Sequence, residues 1–490
     1  MDRPIRVGLD PHVAPWAPEA KYALRTLLRI AGYPVHFLWV HGDDAGDVDL
    51  FYGPDYASCE AAVRITAQER PFRMTHEPVA FETEGELPLL RFERDEREIR
   101  REDEALHLRT DIVFATFWLL AGGAERRTRT DRMDNLILDD TPFATWPLLR
   151  VPLVSIWGAW LRDVLREQGR EPRASPWLRA GTEGAVAFTH DVDYPQMIRS
   201  IESVRLLRAH GLAAAARVRG IWSGRETFWH FEGWTGFARA FGTRPAFYFM
   251  ARRGSLSRYL AGTPDAFYDI RSPAFHRLFG WLRDEGCEVG LHASYSAFRE
   301  PERFARERTS LEQASGQTVA GNRHHYWHLD PQDPGSTLRA HELAGLRYDS
   351  SLAFEFEPGF RRAICHPFRP FDIAERRELN VVQLPPAWMD DHFGRRRAVN
   401  GITDAEAVAC ALLDAVRNTG GIAVLDYHVR GWNESFFPDW GAWLRSFAAR
   451  HLDARYQYLT PVEIADAYVA YERELDGASH DATEPAGATS

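Results

Sequence analysis

Cysteine is scarce and scattered in this sequence: Cys59, Cys287, Cys365 and Cys410 are the four, and none has CxxC spacing. That excludes a zinc-ribbon reading and gives no support to a disulfide framework. Long apolar runs are missing as well. The richest, Ile112 to Ala121, falls well short of the roughly 18 residues needed to cross a bilayer and reads as a buried helix. Met1 to Asp10 carries charge at Asp2, Arg3 and Arg6 and lacks the apolar core of a signal peptide, so the expectation is a cytoplasmic protein with no membrane span. Nor is there an excess of positive charge: the formal net charge of -11 argues against a general nucleic-acid binder. No internal repeat and no glycine-rich phosphate loop is present.

What is there suits a soluble globular protein, with 45% hydrophobic and 26% charged residues. A chain of 490 residues exceeds one ordinary core, so two domains are expected. The 16 tryptophans either stack on carbohydrate or fill cores with aromatic bulk. Residues 1–175 read as a small α/β domain. A strand at Ile5–Leu9 and a Pro-rich turn lead to an amphipathic helix over Glu19–Ala31, which Gly32 stops. Strands follow at Val35–Val40 and Asp49–Tyr52. The charge run Arg91–Glu104 reads as a solvated face or loop, and Arg126–Asp140 as a polar stretch. Helices are expected over Asp111–Leu120 and Ile156–Gln168, and Glu171–Thr182 reads as a linker.

From 183 to 470 short apolar strands alternate with helices. The clearest strands are Ala185–Thr189, Ala246–Met250, Glu288–His292, Val381–Leu384 and Ala423–Tyr427; helices include Gln196–Ala209 and Asp404–Arg417. Such alternation implies parallel strands with helical crossovers, a barrel or doubly wound sheet whose functional side chains collect beyond the strands' C-terminal ends. Residues 477–490 are small and polar, expected to be disordered.

Chemistry-bearing residues stand at those strand ends. In Thr189-His190-Asp191-Val192-Asp193 a strand delivers two carboxylates one residue apart. Two such groups cannot both ionise comfortably without a cation nearby, so one binding metal and the other accepting a proton is a natural division. An Asp-rich loop capping a helix near Pro195 explains the same residues. Glu288–His292 ends in an imidazole, followed by Ala293-Ser294-Tyr295-Ser296. Asn322-Arg323-His324-His325-Tyr326-Trp327-His328 gathers three histidines and an arginine, and Val424–His428 ends in another histidine, placed for general acid work.

Taken together in this order, Thr189–Asp193, Glu288–Tyr295, Arg323–Tyr326, Tyr348–Ser350 and His428 resemble the motifs of the NodB-homology polysaccharide deacetylases, carbohydrate esterase family 4. More closely they resemble a bacterial branch with a THDVD motif and a leading α/β domain. The resemblance implies a deformed (β/α) barrel preceded by a smaller α/β domain. It also implies Asp191 as catalytic base, Asp193 and His292 as metal ligands, Arg323 as the partner of the base and His428 as general acid. The family's second ligand histidine would fall at position 296, where this chain has Ser296; His325 is the candidate replacement, with His190 or a water held by Ser296 as rivals. A divalent metal, Zn2+ from Asp and His ligands, would lower the pKa of a water and polarise an acyl carbonyl, with a backbone N–H near Tyr326 helping to stabilise the oxyanion.

Tyr348-Asp349-Ser350-Ser351, Cys365-His366-Pro367-Phe368, Trp388-Met389-Asp390-Asp391-His392, Trp432 and Trp440 are further candidates for lining the cleft. The implied activity is removal of an acetyl group from an N-acetylated sugar or polysaccharide precursor. A C–N hydrolase of cyclic amides and a silent glycan- or partner-binding relative are the alternatives, the latter because of Ser296.

Overall fold

The computed structural model describes residues 3–477 apart from 42–47, 56, 58, 103–104, 126–127, 140, 256, 258–264, 332 and 395–402. The expected polar tail therefore lies outside the described residues beyond Gly477. Two sheets organise the chain. The first has the strands β1 (Ile5–Leu9), β2 (Val35–Trp39), β3 (Val48–Gly53), β4 (Ala61–Thr66), β7 (Ile99–Glu102) and β8 (Ala105–Leu108), in the order β2-β1-β3-β4-β8-β7. All neighbours are parallel except the β7–β8 hairpin, and β5 (Pro78–Glu84) pairs with β6 (Leu87–Phe92) apart from it.

Helices Ala17–Ala31, Ile112–Leu120 and Leu153–Glu167 pack on one another beside this sheet. The first and third approach closely because position 158 is glycine: a Cβ there would lie 2.4 Å from Ile30 Cγ2. The charge run, read as a solvated face or loop, contributes Arg91 and Phe92 to β6 and residues 99–102 to β7. Its charges suit an edge strand, where they discourage pairing with another chain.

The second sheet is the larger. Strands β9 (Gly184–Val192), β10 (Ala246–Phe249), β11 (Glu288–Ala293), β12 (Gly321–His324), β13 (Tyr348–Asp349), β16 (Val382–Gln383), β17 (Pro386–Met389) and β18 (Ile422–Asp426) run parallel in the order β16-β13-β12-β11-β10-β9-β18-β17. The strand β19 (Tyr456–Tyr458) joins the start of β9. A small hairpin of β14 (Phe371–Asp372) and β15 (Arg377–Glu378) stands outside. The end strands β16 and β17 are consecutive in the chain, so the sheet curls into the expected deformed (β/α) barrel. Each long strand is buried throughout or nearly so, as a parallel sheet covered by helices requires.

The two sheets share one hydrophobic core, in which Leu27 and Leu165 join Phe371, Leu412 and Val416. Buried charge pairs fix the junction. Glu125 meets Arg361 at 2.9 Å and Arg362 at 3.0 Å, and Arg29 meets Glu378 at 2.8 Å and Glu472 at 3.0 Å. The largest buried side chains include Trp118, Trp157, Trp234 and Trp388, so these tryptophans serve the core.

Candidate active site

Parallel register brings the strand-end residues to one mouth of the barrel. Asp191 on β9 stands opposite Tyr248 on β10, and His292 on β11 opposite Arg323 on β12. Alternation along β9 turns Thr189, Asp191 and Asp193 away from His190. The next helix begins only at Arg199, capped by Ile198, so neither aspartate caps it. Both carboxylates are free for other work.

Arg323 is completely buried and anchors the site. Its Nη1 donates to Asp191 Oδ1 at 2.9 Å and to Asp426 Oδ1 at 2.7 Å, its Nη2 to Thr189 Oγ1 at 2.9 Å and Ser350 Oγ at 3.2 Å. The guanidinium also lies 4.4 Å from the centre of the Tyr248 ring. One oxygen of Asp191 is thus held, and the other, 3.7 Å from His292 Nε2, faces the cleft.

Asp193, His292 and His325 bring their ligand atoms within 4.8 Å of one another, all three buried. Asp193 Oδ1 stands 3.3 Å from His292 Nε2 and 3.7 Å from His325 Nε2. These contacts are not hydrogen bonds of usable geometry: Asp193 Oδ1 and His292 Nε2 are buried without a partner among the described residues. Ligand atoms of a tetrahedral zinc lie roughly 3.3–3.5 Å apart, so the spacing and the orphaned donors fit a small divalent cation. His292 is braced for the role, its Nδ1 lying 2.9 Å from the Arg323 carbonyl, which leaves Nε2 as the lone-pair atom. Burial opposes charge on Asp193, yet the nearby His428 and His325 hold its carboxyl well below the usual range. Burial pushes the His325 imidazolium well below its ordinary value, favouring the neutral ring that a metal requires.

The rivals for the third ligand position lie elsewhere. His190 Nδ1 bonds the Tyr427 carbonyl at 2.7 Å, its ring packs on Trp234, and burial drives its pKa down to about 3. Ser296 accepts a hydrogen bond from Arg303. Of the other clustered histidines, His324 pairs with His341 at 2.8 Å, and His328 packs between Tyr295 and Phe298.

His428 closes the mouth from β18. Its Nε2 lies 3.1 Å from Asp193 Oδ2 and its Nδ1 3.1 Å from Asp390 Oδ1. Although burial disfavours the cation, Asp390 and Asp193 raise its pKa well above the ordinary value. Arg430 Nη2 stands 3.6 Å from Asp193 Oδ2. Around these groups a cleft of ≈ 140 Å³ is walled by Tyr326, Trp327, Met389 and Trp440. Tyr326 and Trp327 both have positive φ, 61° and 57°. Two such non-glycine residues at a pocket mouth are strain that the surrounding structure has to hold in place.

The weaker sequence candidates divide. Trp440 and Asp391 line the cleft, while Trp432 packs on Trp234. Cys365 and His366, expected to line it, instead bond Ser155 of helix Leu153–Glu167 through the Cys365 N–H and His366 Nδ1. Asp349 is engaged by Asn322 and Ser351, the turn-forming role, and Ser350 reaches Arg323. Sequence reasoning missed Asp426 and Arg430, and gave Asp390 no partner. The signal for Asp426 was its place two residues before His428 at the end of the same strand.

No family model matches the chain, and no curated protein matches it. Among solved structures, the chain is similar to two proteins provisionally assigned as polysaccharide deacetylases. One, from Mycobacterium smegmatis, is 20% identical, with 65% of this chain and 99% of that one covered and a TM-score of 0.38. The other, from Pseudomonas aeruginosa, is 15% identical over 62% and 97%, with a TM-score of 0.37. An allantoinase is 13% identical over 62% of this chain and 95% of its own, also at 0.37.

Proposed function

We propose that this α/β protein, with its deformed (β/α) barrel, is a metal-dependent hydrolase that removes an acyl group from the nitrogen of a sugar-containing substrate. One observation carries the reading. A carboxylate fixed by a buried arginine (Asp191) and an imidazole fixed by a buried carboxylate (His428) face one small cleft, with the Asp193–His292–His325 trio between them. Asp193, His292 and His325 are the residues that would hold the cation. When bound there, a divalent cation supplies a Lewis acid for an acyl oxygen and acidifies a water.

The chain's own groups divide the proton work. Asp191 keeps Oδ1 on Arg323, so Oδ2 is the atom that accepts the proton of the attacking water. Arg323 fixes the direction of that carboxylate. His428 holds its proton on Nε2, at the Asp193 side of the cleft, and gives it to the departing amine; Asp390 at Nδ1 keeps the ring oriented and stabilises the cation. Trp327, Met389 and Trp440 wall the cleft in which these groups meet.

The test is acetate release from a panel of N-acetylated amino sugars and their oligomers, set beside cyclic ureides and imides, with metal content measured on the same samples. Acetate release that Asp191→Asn abolishes while metal stays bound supports the reading. Turnover of the ureides alone would transfer it to cyclic amides, and most activity surviving in Asp191→Asn would remove Asp191 as base.

A further inference from the structure

Helix Arg199–His210, a few residues beyond Asp193, has inverted polarity. A surface helix normally buries its apolar stripe. This one buries Glu202, Ser203 and Leu206 and leaves Ile201, Val204 and Leu207 exposed. A short 3-10 turn joins it to helix Ala215–Ser223, and the pair adds Ile198 before it, Leu212 at the tip (91% exposed) and Trp222 (59% exposed). Six of the nine large exposed hydrophobic residues among the described residues fall in this one hairpin. Apolar patches of this kind on a soluble protein mark interaction sites.

The charge of the hairpin identifies the partner. Residues 198–225 hold six arginines (199, 205, 208, 217, 219 and 225) against one acid, Glu202, in a chain whose net charge is -11. Glu202 is paired with Arg205, whereas Arg199, Arg208, Arg217, Arg219 and Arg225 make no ion pair among the described residues. Exposed Ile, Val and Leu interleaved with arginine along helix Arg199–His210, with Leu212 and Trp222 exposed beyond it, match the interface of an anionic bilayer, where apolar side chains enter the acyl boundary and guanidinium groups stay at the phosphates. Among the described residues no helix is long and apolar enough to cross a membrane. We infer that the hairpin 198–225 docks the protein on an anionic lipid surface.

The hairpin is joined to the cleft. Ile221 and Leu206 pack with Phe436, and Glu226 just beyond accepts from Asn433 at 3.0 Å, both partners lying in the segment between His428 and Trp440. Docking would therefore present the cleft to substrates carried on lipid. That consequence rests on the hydrolase reading; the docking itself does not.

The test is flotation of the full chain with vesicles of phosphatidylcholine alone or with about one-third phosphatidylglycerol. Turnover is not measured, so a failed hydrolase reading leaves the result standing. The expected result is partition onto the anionic vesicles only, reversed by high salt. Arg208→Gln with Arg219→Gln, and separately Leu212→Ser, should each weaken partition on the order of tenfold or more with thermal melting unchanged. Failure to bind anionic vesicles at low salt overturns the proposal. So does binding that the hairpin variants leave intact, or a stable dimer in sedimentation that Leu212→Ser converts to monomer, because a second copy would then cover the face.

Discussion

Asp390 meets His428 twice, across 38 residues of sequence: its Oδ2 accepts the backbone N–H of His428 at 2.8 Å, and its Oδ1 stands 3.1 Å from the ring Nδ1. The backbone bond fixes where the histidine begins, and the side-chain contact fixes which nitrogen faces the cleft. The pairing of β17 with β18, Met389 opposite Asp426, makes both contacts unavoidable once the barrel forms.

Asp390→Asn should therefore leave the fold and the metal content unchanged while removing the counter-charge that holds the imidazolium. The expected loss is about 10²–10⁴ in kcat with little change in KM, the range for a mispositioned general acid. Steady-state kinetics beside metal analysis checks it. An equal loss in a variant of His392, which lies on the same short helix but bonds the Phe354 carbonyl, would point to a merely structural effect.

Arg323 sits between two buried carboxylates, Asp191 and Asp426. Burial and the Asp191 charge raise the Asp426 pKa, and Arg323 opposes them. Arg323→Met should destabilise by roughly 3–5 kcal/mol, since it strands buried charge. Adding Asp426→Asn to that variant should return part of the stability without returning activity, because Asp191 would still lack its fixed partner. A double-mutant cycle by chemical denaturation measures the coupling. Additive losses would mean that the three groups do not act as a unit.

Much of this site was legible before any coordinates because a fully buried parallel strand leaves a plain trace: a short apolar run with a polar residue at its C-terminal end. Asp191, Asp193, His292 and His428 were found in that way, and the strand positions followed the same signal. Asp426, the last residue of β18, obeys the same rule but was passed over in favour of His428 two residues on, and its part is plain only once Arg323 is seen 2.7 Å away. Asp390 lay in a stretch already suspected of touching substrate, but its partnership depends on which strands are neighbours, and that is long-range information. Strand β13, two residues long, is too short for any periodic signal, whereas β16, equally short, falls inside the apolar run Val381–Leu384 that reads as a strand. The charged edge strand β7 reads only as a solvated face or loop because it joins Ile99 to arginines and a glutamate, with no second apolar residue to mark a buried face.

The two candidate histidine ligands are not equivalent. His292 has its second nitrogen on the Arg323 carbonyl, whereas His325 Nδ1 is buried with no partner among the described residues. Loss of such an outer partner typically costs about 10–100-fold in affinity. His292→Ala should therefore weaken cation binding more than His325→Ala, and both more than His190→Ala. Competition with a chromophoric chelator orders the three. Unchanged affinity in His325→Ala would remove that residue from the site.

Glu288 offers a prediction about pH that does not involve the catalytic groups. At the start of β11 it accepts a hydrogen bond from Tyr348 at 2.6 Å and the Val462 N–H at 3.1 Å, and Tyr348 in turn contacts Tyr248 beneath Arg323. Burial pushes its carboxyl up to about 7 from 4.5, outweighing those two hydrogen bonds. A carboxyl whose pKa is raised on folding binds its proton more tightly in the native state. Its contribution to stability is thus full below about 4.5, falls as pH rises through about 7, and is constant above. Glu288→Gln cannot ionise and should escape that loss. Relative to the parent, the variant should gain stability between these two pH values, by roughly 3 kcal/mol at most. Taking the difference between variant and parent in denaturant titrations across that range removes the contribution of other titrating groups, such as Asp95, which burial also raises to about 7. A difference that stays flat across the window would mean that Glu288 ionises in the folded protein as readily as in water.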